Sequence, residues 1–306
     1  MVILNSILPA FVIIGLGFFL KKRGLIEECT DKFLNNLAYY LVLPAMIFAS
    51  IYKLPFGEIF NGKIVLGLYG ISFMVFLFSA GAAYFLKKEK RGGFVTSAFR
   101  SNIAYIGFPL VLSLYGESGL AKISVITGFI APFIIGLSIV YLSITEKKEY
   151  KKEHPAAMVF KDPLIITCIA ALLFSYYNLK MPGFMFNTID LIALMGAPLM
   201  LLTVGAGLKI DSIKRDRVLL VFVSFIKLLL LPLVSFIVFR YVIVITDPVD
   251  FNIAVLTFTF PTALSSYVLV KKYRGDYRLT SSSITITTII SLFTISLWLW
   301  ILTGTG

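Results

Sequence analysis

Ser101-Asn102-Ile103-Ala104-Tyr105-Ile106-Gly107-Phe108-Pro109-Leu110 places a glycine and a proline two residues apart near the middle of an apolar run covering 94–116. A proline inside a helix loses a backbone hydrogen bond and crowds the preceding turn, at about 3 kcal/mol, unless the helix breaks there. Gly107 suits the end of one half-helix and Pro109 the first turn of the next. A second apolar run, 252–270, carries Pro261 at its midpoint, in Thr257-Phe258-Thr259-Phe260-Pro261-Thr262. Unwound backbone at membrane depth is tolerated only when buried in protein or lining a wet cavity, so the two breaks predict a cavity. The second half-helices, starting near Leu110 and Thr262, would aim their N-termini at the midplane from opposite directions. Each carries unpaired N–H groups and about half a positive charge, a setting suited to an anion.

Composition fits a chain built for lipid. Of 306 residues, 58% are hydrophobic and 14% charged, and the mean hydropathy is +0.93. An ordinary soluble domain is roughly 25% charged, so a cytosolic globular fold is excluded. Cys29 and Cys168 offer neither a disulfide framework nor a thiol metal site. His154 is the sole histidine, which removes the usual parts of zinc or triad chemistry. No cofactor and no catalytic residue is expected.

The net charge of +12 is read as topology, not as affinity for nucleic acid, because the charges cluster between apolar stretches of bilayer-spanning length. Ten such stretches are expected, at about 2–20, 33–52, 63–86, 94–116, 119–144, 163–179, 189–208, 218–245, 252–270 and 279–301. Loops 21–32, 87–93, 145–162, 209–217 and 271–278 hold 21 of the 28 basic residues; the opposite loops hold Lys53, Lys63, Lys122 and Lys180. By the positive-inside rule both termini of this multi-pass protein face outward from the cell membrane. The first apolar run lacks a basic leader and a small-residue cleavage site, so it is expected to remain as a helix. Trp298 and Trp300 are expected as interfacial anchors at the outer end of the last span.

An internal repeat appears at an offset of about 154 residues. Pro9 maps to Pro163, Pro44 to Pro198, and Pro109 to Pro261 with a two-residue slip; Leu43-Pro44-Ala45-Met46 resembles Ala197-Pro198-Leu199-Met200. Five spans per half is an odd number, so the second copy enters from the opposite side, the inverted repeat of many secondary transporters. The expected division is 1–144 as the first repeat, 145–162 as a cytoplasmic linker and 163–306 as the second repeat.

Asn102, Tyr105, Thr259 and Thr262 are the polar side chains near the breaks. The Asn102 amide can donate to a substrate carboxylate or cap freed backbone. Lys227 lies about nine residues into span 8, where it either attracts substrate or snorkels. Arg100 is expected to snorkel to the inner interface, with a cytoplasmic gate contact as the alternative. The hydroxyl-rich face of span 10, from Thr280 to Ser291, is expected to be helix-packing glue. Gly57 to Lys63 fits a phosphate-binding loop except that Ile64 replaces the magnesium-holding Ser or Thr, so ATP-driven pumping is unsupported.

Asn102-xxxx-Gly107-x-Pro109-Leu110 followed by Tyr115-Gly116 resembles the fourth-helix motif of the auxin efflux carrier family. Leu8-Pro9 through Gly15, Lys21-Lys22-Arg23-Gly24-Leu25 and Leu43-Pro44 are similar to the start of its prokaryotic members. The resemblance implies an all-helical membrane fold of ten helices as a five-plus-five inverted repeat, like sodium/proton antiporters and bile-acid symporters. It also implies a homodimer and elevator-type alternating access, with helices 1, 2, 6 and 7 as scaffold and helices 3–5 and 8–10 as transport domain. Asn102, Gly107 and Pro109 then take the first crossover and Pro261 the second. Plant members export auxin anions, and some bacterial relatives handle dicarboxylates such as malate or malonate. The expected function is potential-driven transport or export of a small organic anion, with a sodium- or proton-coupled symporter of the bile-acid type as the alternative. An intramembrane hydrolase lacks its parts, and a channel would not show saturable countertransport.

Overall fold

A computed structural model describes residues 2–146, 162–210 and 216–304, the side chains of 2–5 excepted. In chain order the α-helices are α1 (Val2–Lys22), α2 (Glu28–Leu37), α3 (Leu43–Tyr52), α4 (Phe56–Ile59), α5 (Gly62–Ala83), α6 (Lys88–Phe99), α7 (Phe108–Thr145) and α8 (Pro163–Tyr176). They continue with α9 (Gly183–Leu194), α10 (Gly196–Ala206), α11 (Arg217–Phe225), α12 (Leu231–Ile237), α13 (Pro248–Thr259), α14 (Ser265–Lys272) and α15 (Tyr277–Gly304). Among the described residues six continuous helical stretches are long and apolar enough to cross a membrane: Glu28–Tyr52, Phe56–Ala83, Ile103–Thr145, Gly183–Ala206, Arg217–Val242 and Tyr277–Gly304. Pro163–Tyr176 is a shorter apolar helix. Among the described residues the only β pairing is one antiparallel bridge, Ser101 with Thr262. Residues 147–161 of the expected linker, with His154, lie outside the described residues.

At three prolines within apolar runs the helix widens instead of breaking. The π-helical turns Ala38–Val42, Ile103–Gly107 and Ile226–Leu230 each run directly into a helix whose second residue is proline: Pro44, Pro109 and Pro232. A widened turn absorbs the ring and leaves the carbonyl four residues back without its usual donor. In the third case that carbonyl, Leu228, accepts from the Trp298 indole Nε1 at 3.1 Å. The expected break at Gly107–Pro109 is therefore corrected: helix α6 ends at Phe99, Arg100 is extended (φ −85°, ψ 123°), and helical structure resumes at Ile103. In the second run α13 ends at Thr259 and Phe260 is extended (φ −67°, ψ 146°), as a residue before proline prefers. The first of the second half-helices thus begins at Ile103, not near Leu110, while the other begins at Ser265, close to Thr262 as expected. The Trp298 expectation is also corrected, since its ring is 5% exposed and packs inside; Trp300, 68% exposed, remains at the surface.

The chain divides into two compact units: Met1–Gly62 with Ile103–Ala131 and Phe160–Gly207, and Lys63–Asn102 with Pro132–Val159 and Leu208–Gly306. In the first, α1 packs along α10, and α3 packs along α8 and α9. Gly17 and Gly205 let α1 and α10 approach to backbone contact; a Cβ at either would strike the carbonyl of Leu202 or Ile14. Gly116, at φ +65°, kinks α7 in a conformation natural to glycine. Lys53 Nζ joins Glu117 and Asp190, each at 2.9 Å. In the second unit α15 lies against α6, α11, α13 and α14. Its hydroxyls Ser283, Thr285 and Thr287 are buried and donate to carbonyls one turn back.

Candidate functional site

Within the second unit the two extended segments cross and pair antiparallel. Asn102 N–H donates to the Pro261 carbonyl at 2.8 Å, and Ala263 N–H to the Arg100 carbonyl at 3.1 Å. Both segments interrupt helices, so orphan backbone groups must be met locally. The Thr262 hydroxyl donates to the Ser97 carbonyl in the last turn of α6 at 2.8 Å, and Thr262 N–H donates to the Thr287 hydroxyl at 3.1 Å. Thr259 donates back to Leu256 in its own helix at 2.9 Å. Pro261 and Thr262 thereby stitch the crossing, while Thr259 closes the end of its own helix.

Lys227 projects from its π turn with no exposed surface. Its Nζ donates to Ser101 Oγ at 2.6 Å and to the Phe258 carbonyl, in the last turn of α13, at 3.2 Å. A cation at a helix C-terminus is electrostatically favourable. An ammonium has three N–H donors, and two are used by these partners. Snorkelling, left open by the sequence, is not what the side chain does.

Arg100 also departs from the snorkelling expectation. It is 6% exposed, and its guanidinium donates to Ser265 Oγ at 2.8 Å and Ser138 Oγ at 3.4 Å. Holding the extended backbone at residue 100 swings this side chain inward, toward the start of α14. No Asp or Glu is among the buried residues described, so the crossing holds two buried basic side chains in surroundings without a buried carboxylate. Asn102 is 3% exposed, and its Nδ2 is a buried donor without an acceptor.

Among the residues expected at the site, Asn102, Thr259, Pro261, Thr262 and Lys227 thus belong to one crossing. Tyr105, Gly107 and Pro109 belong to the first unit, where Tyr105 donates to the Asn35 carbonyl at 3.4 Å. Arg100 and Ser101 were missed as site residues, although they adjoin Asn102. A signal lay in Ser101-Asn102, residue types that favour local bonds over helix. Among the described residues no cluster of three or more His, Cys, Asp or Glu could hold a metal ion.

A family model described as membrane transport protein matches residues 2–159 and 156–299. The chain belongs to this family. It is the auxin efflux carrier family that the motifs around Asn102 and Pro109 resemble. An uncharacterized transporter of Methanocaldococcus jannaschii is 27% identical, over 99% of each chain. A Rhizobium meliloti protein named "Putative malonate transporter" is 24% identical, over 96% of this chain and 94% of its own. An uncharacterized transporter of Escherichia coli is 22% identical over 97% of both. The family and these relatives are transporters, not enzymes, and this membrane transport protein is accordingly a multi-pass transporter that works in a lipid bilayer on a small-molecule substrate.

Proposed function

We propose that the protein is a secondary transporter that carries a small organic anion, such as a carboxylate or dicarboxylate, across the cell membrane. The observation that carries this reading is the crossing itself, where Lys227, Arg100 and the free Asn102 amide supply buried positive charge and an unused donor. Ion sites of secondary transporters lie at such interrupted helices near the midplane. The relative named for malonate agrees in charge class. Asn102 and Lys227 are proposed as substrate contacts, with Thr259, Pro261 and Thr262 shaping the crossing. Tyr105, Gly107 and Pro109 are retained as site residues on the family motif.

Ten crossings, arranged as an inverted repeat with both termini outside, complete the proposal. What supports the repeat is exchange of partners: α1 of the first half packs on α10 of the second, while α8 of the second packs on α3 of the first. A two-fold relation requires that reciprocity. Elevator movement of a transport domain against a scaffold, in a homodimer, is proposed from the family plan. An inside-negative potential of 100 mV drives one monovalent anion outward by about 2.3 kcal/mol, enough for export without a coupling ion.

The test is flux of labelled malonate, malate and indole-3-acetate in proteoliposomes, with the potential clamped and with or without sodium and proton gradients. Saturable, potential-sensitive flux of one anion, lost in Asn102→Ala, is the expected outcome. A strict need for a sodium or proton gradient at fixed potential rejects the uncoupled mechanism in favour of the symporter.

A further inference from the structure

A cavity of about 410 Å³ opens in the second unit between the turn after α5 and the start of α11, sharing no residue with the crossing. Its charged lining is Lys87, Lys90, Asp216 and Arg217. Lys90 pairs with Asp216. Lys87 and Arg217 have no ion-pair partner among the described residues, so the cavity keeps two positive charges in excess.

The flanks are apolar yet outward-facing: Phe85 is 88% exposed and Val218 82%. This arrangement is held, since Arg91 clamps the turn by donating to the carbonyls of Tyr84 at 2.7 Å and Leu86 at 3.0 Å, with its guanidinium 5.4 Å from the Tyr84 ring centroid. The span Phe56–Ala83 ends and the span Arg217–Val242 begins at this cavity, which places it where headgroups meet acyl chains. Arginine and lysine at the end of a span recognise phosphate, and exposed aromatic and aliphatic side chains beside them fit acyl chains and glycerol. A soluble phosphate would use the cations and leave the exposed apolar flanks unused.

We propose that this cavity is a binding site for the headgroup of an anionic phospholipid, with Lys87 and Arg217 on the phosphate and Phe85 and Val218 against the lipid body. The site is independent of the transported anion. Native mass spectrometry of the full chain in detergent, titrated with phosphatidylglycerol or phosphatidylcholine, tests it. The first phosphatidylglycerol is expected to bind in preference to phosphatidylcholine, and about 30-fold more weakly in Lys87→Gln/Arg217→Gln, at roughly fivefold per cation. Lys22→Gln/Arg23→Gln, which removes the same charge from another basic loop, is expected to leave that affinity unchanged. Lys87 and Arg217 are exposed, so the melting temperature of the double variant should match wild type. Equal binding of the two lipids, unchanged affinity in the double variant, or an equal loss in the control variant overturns the proposal. So does displacement of the lipid by millimolar inorganic phosphate, which would make the cavity a soluble-anion site.

Discussion

Lys227 sits fully buried with one hydroxyl and one carbonyl for company, and that poverty of partners makes its charge informative. Removing a buried charge relieves its desolvation, while the Ser101 hydroxyl and Phe258 carbonyl lose a donor; these effects oppose each other at about 1–3 kcal/mol. Lys227→Met should therefore shift the melting temperature by only a few degrees but lower anion flux in proteoliposomes at least tenfold. Wild-type flux in that variant would remove the lysine from the site. Depth alone could nominate Lys227 in the sequence. Arg100 was not legible that way, because its burial follows from an extended backbone that long-range pairing with the 261–263 segment stabilises. A different carboxyl shows the cost of burial outside the spans. Glu146, just past the end of α7, is pushed above the usual carboxylate range by burial, with Glu89 and Asp276 adding to the shift and the Gly92 amide and Lys88 opposing it. A raised folded-state value means stability that is present at acid pH and lost as pH climbs through the carboxylate's titration. Glu146→Gln should raise thermal stability at neutral pH and flatten the gain seen on acidifying wild type, as melts between pH 7 and 4.5 will register.

At the scale of elements, three X-Pro steps follow π turns, and this explains why the break was misplaced by several residues. Proline in a sequence reports a missing N–H and a clash, and both are met either by ending the helix or by widening it. At Pro261 the chain ends the helix; at Pro109 and Pro232 it widens. The choice depends on what meets the freed carbonyl, which for Pro232 is an indole 70 residues away in sequence. Trp298→Phe should cost about 2–4 kcal/mol in thermal or denaturant unfolding, the unmet Leu228 carbonyl adding to the volume lost from a packed ring. In a Pro232→Ala background residue 232 regains an N–H facing the Leu228 carbonyl, so the same substitution should cost less. Additive costs in this double-mutant cycle would show that the indole does not answer the proline. Hydropathy made most helices legible, since length and apolarity are properties of the segment alone. The crossing was legible as two interruptions; its partners were not, because they are set by long-range pairing.

For the whole molecule, charge asymmetry makes the most exposed claim. Basic residues gather in alternate loops, 21–32 among them, and the cost of translocating such loops carries the proposed orientation, with that side in the cytoplasm. The two cysteines allow a test on the unmodified protein. Cys168 is buried, at 2% exposure, whereas Cys29 is exposed at the start of α2, inside the first basic loop. A membrane-impermeant maleimide should therefore leave the protein unlabelled in intact cells and modify it at a single site in inverted vesicles. Labelling in intact cells would reverse the orientation. The charged loops would then have to be reassigned together, because the proposed ten crossings tie both termini and all five basic loops to one decision. That coupling lets one thiol report on the topology of the entire chain, and with it on whether an inside-negative potential pushes the proposed anion out through the crossing or holds it in.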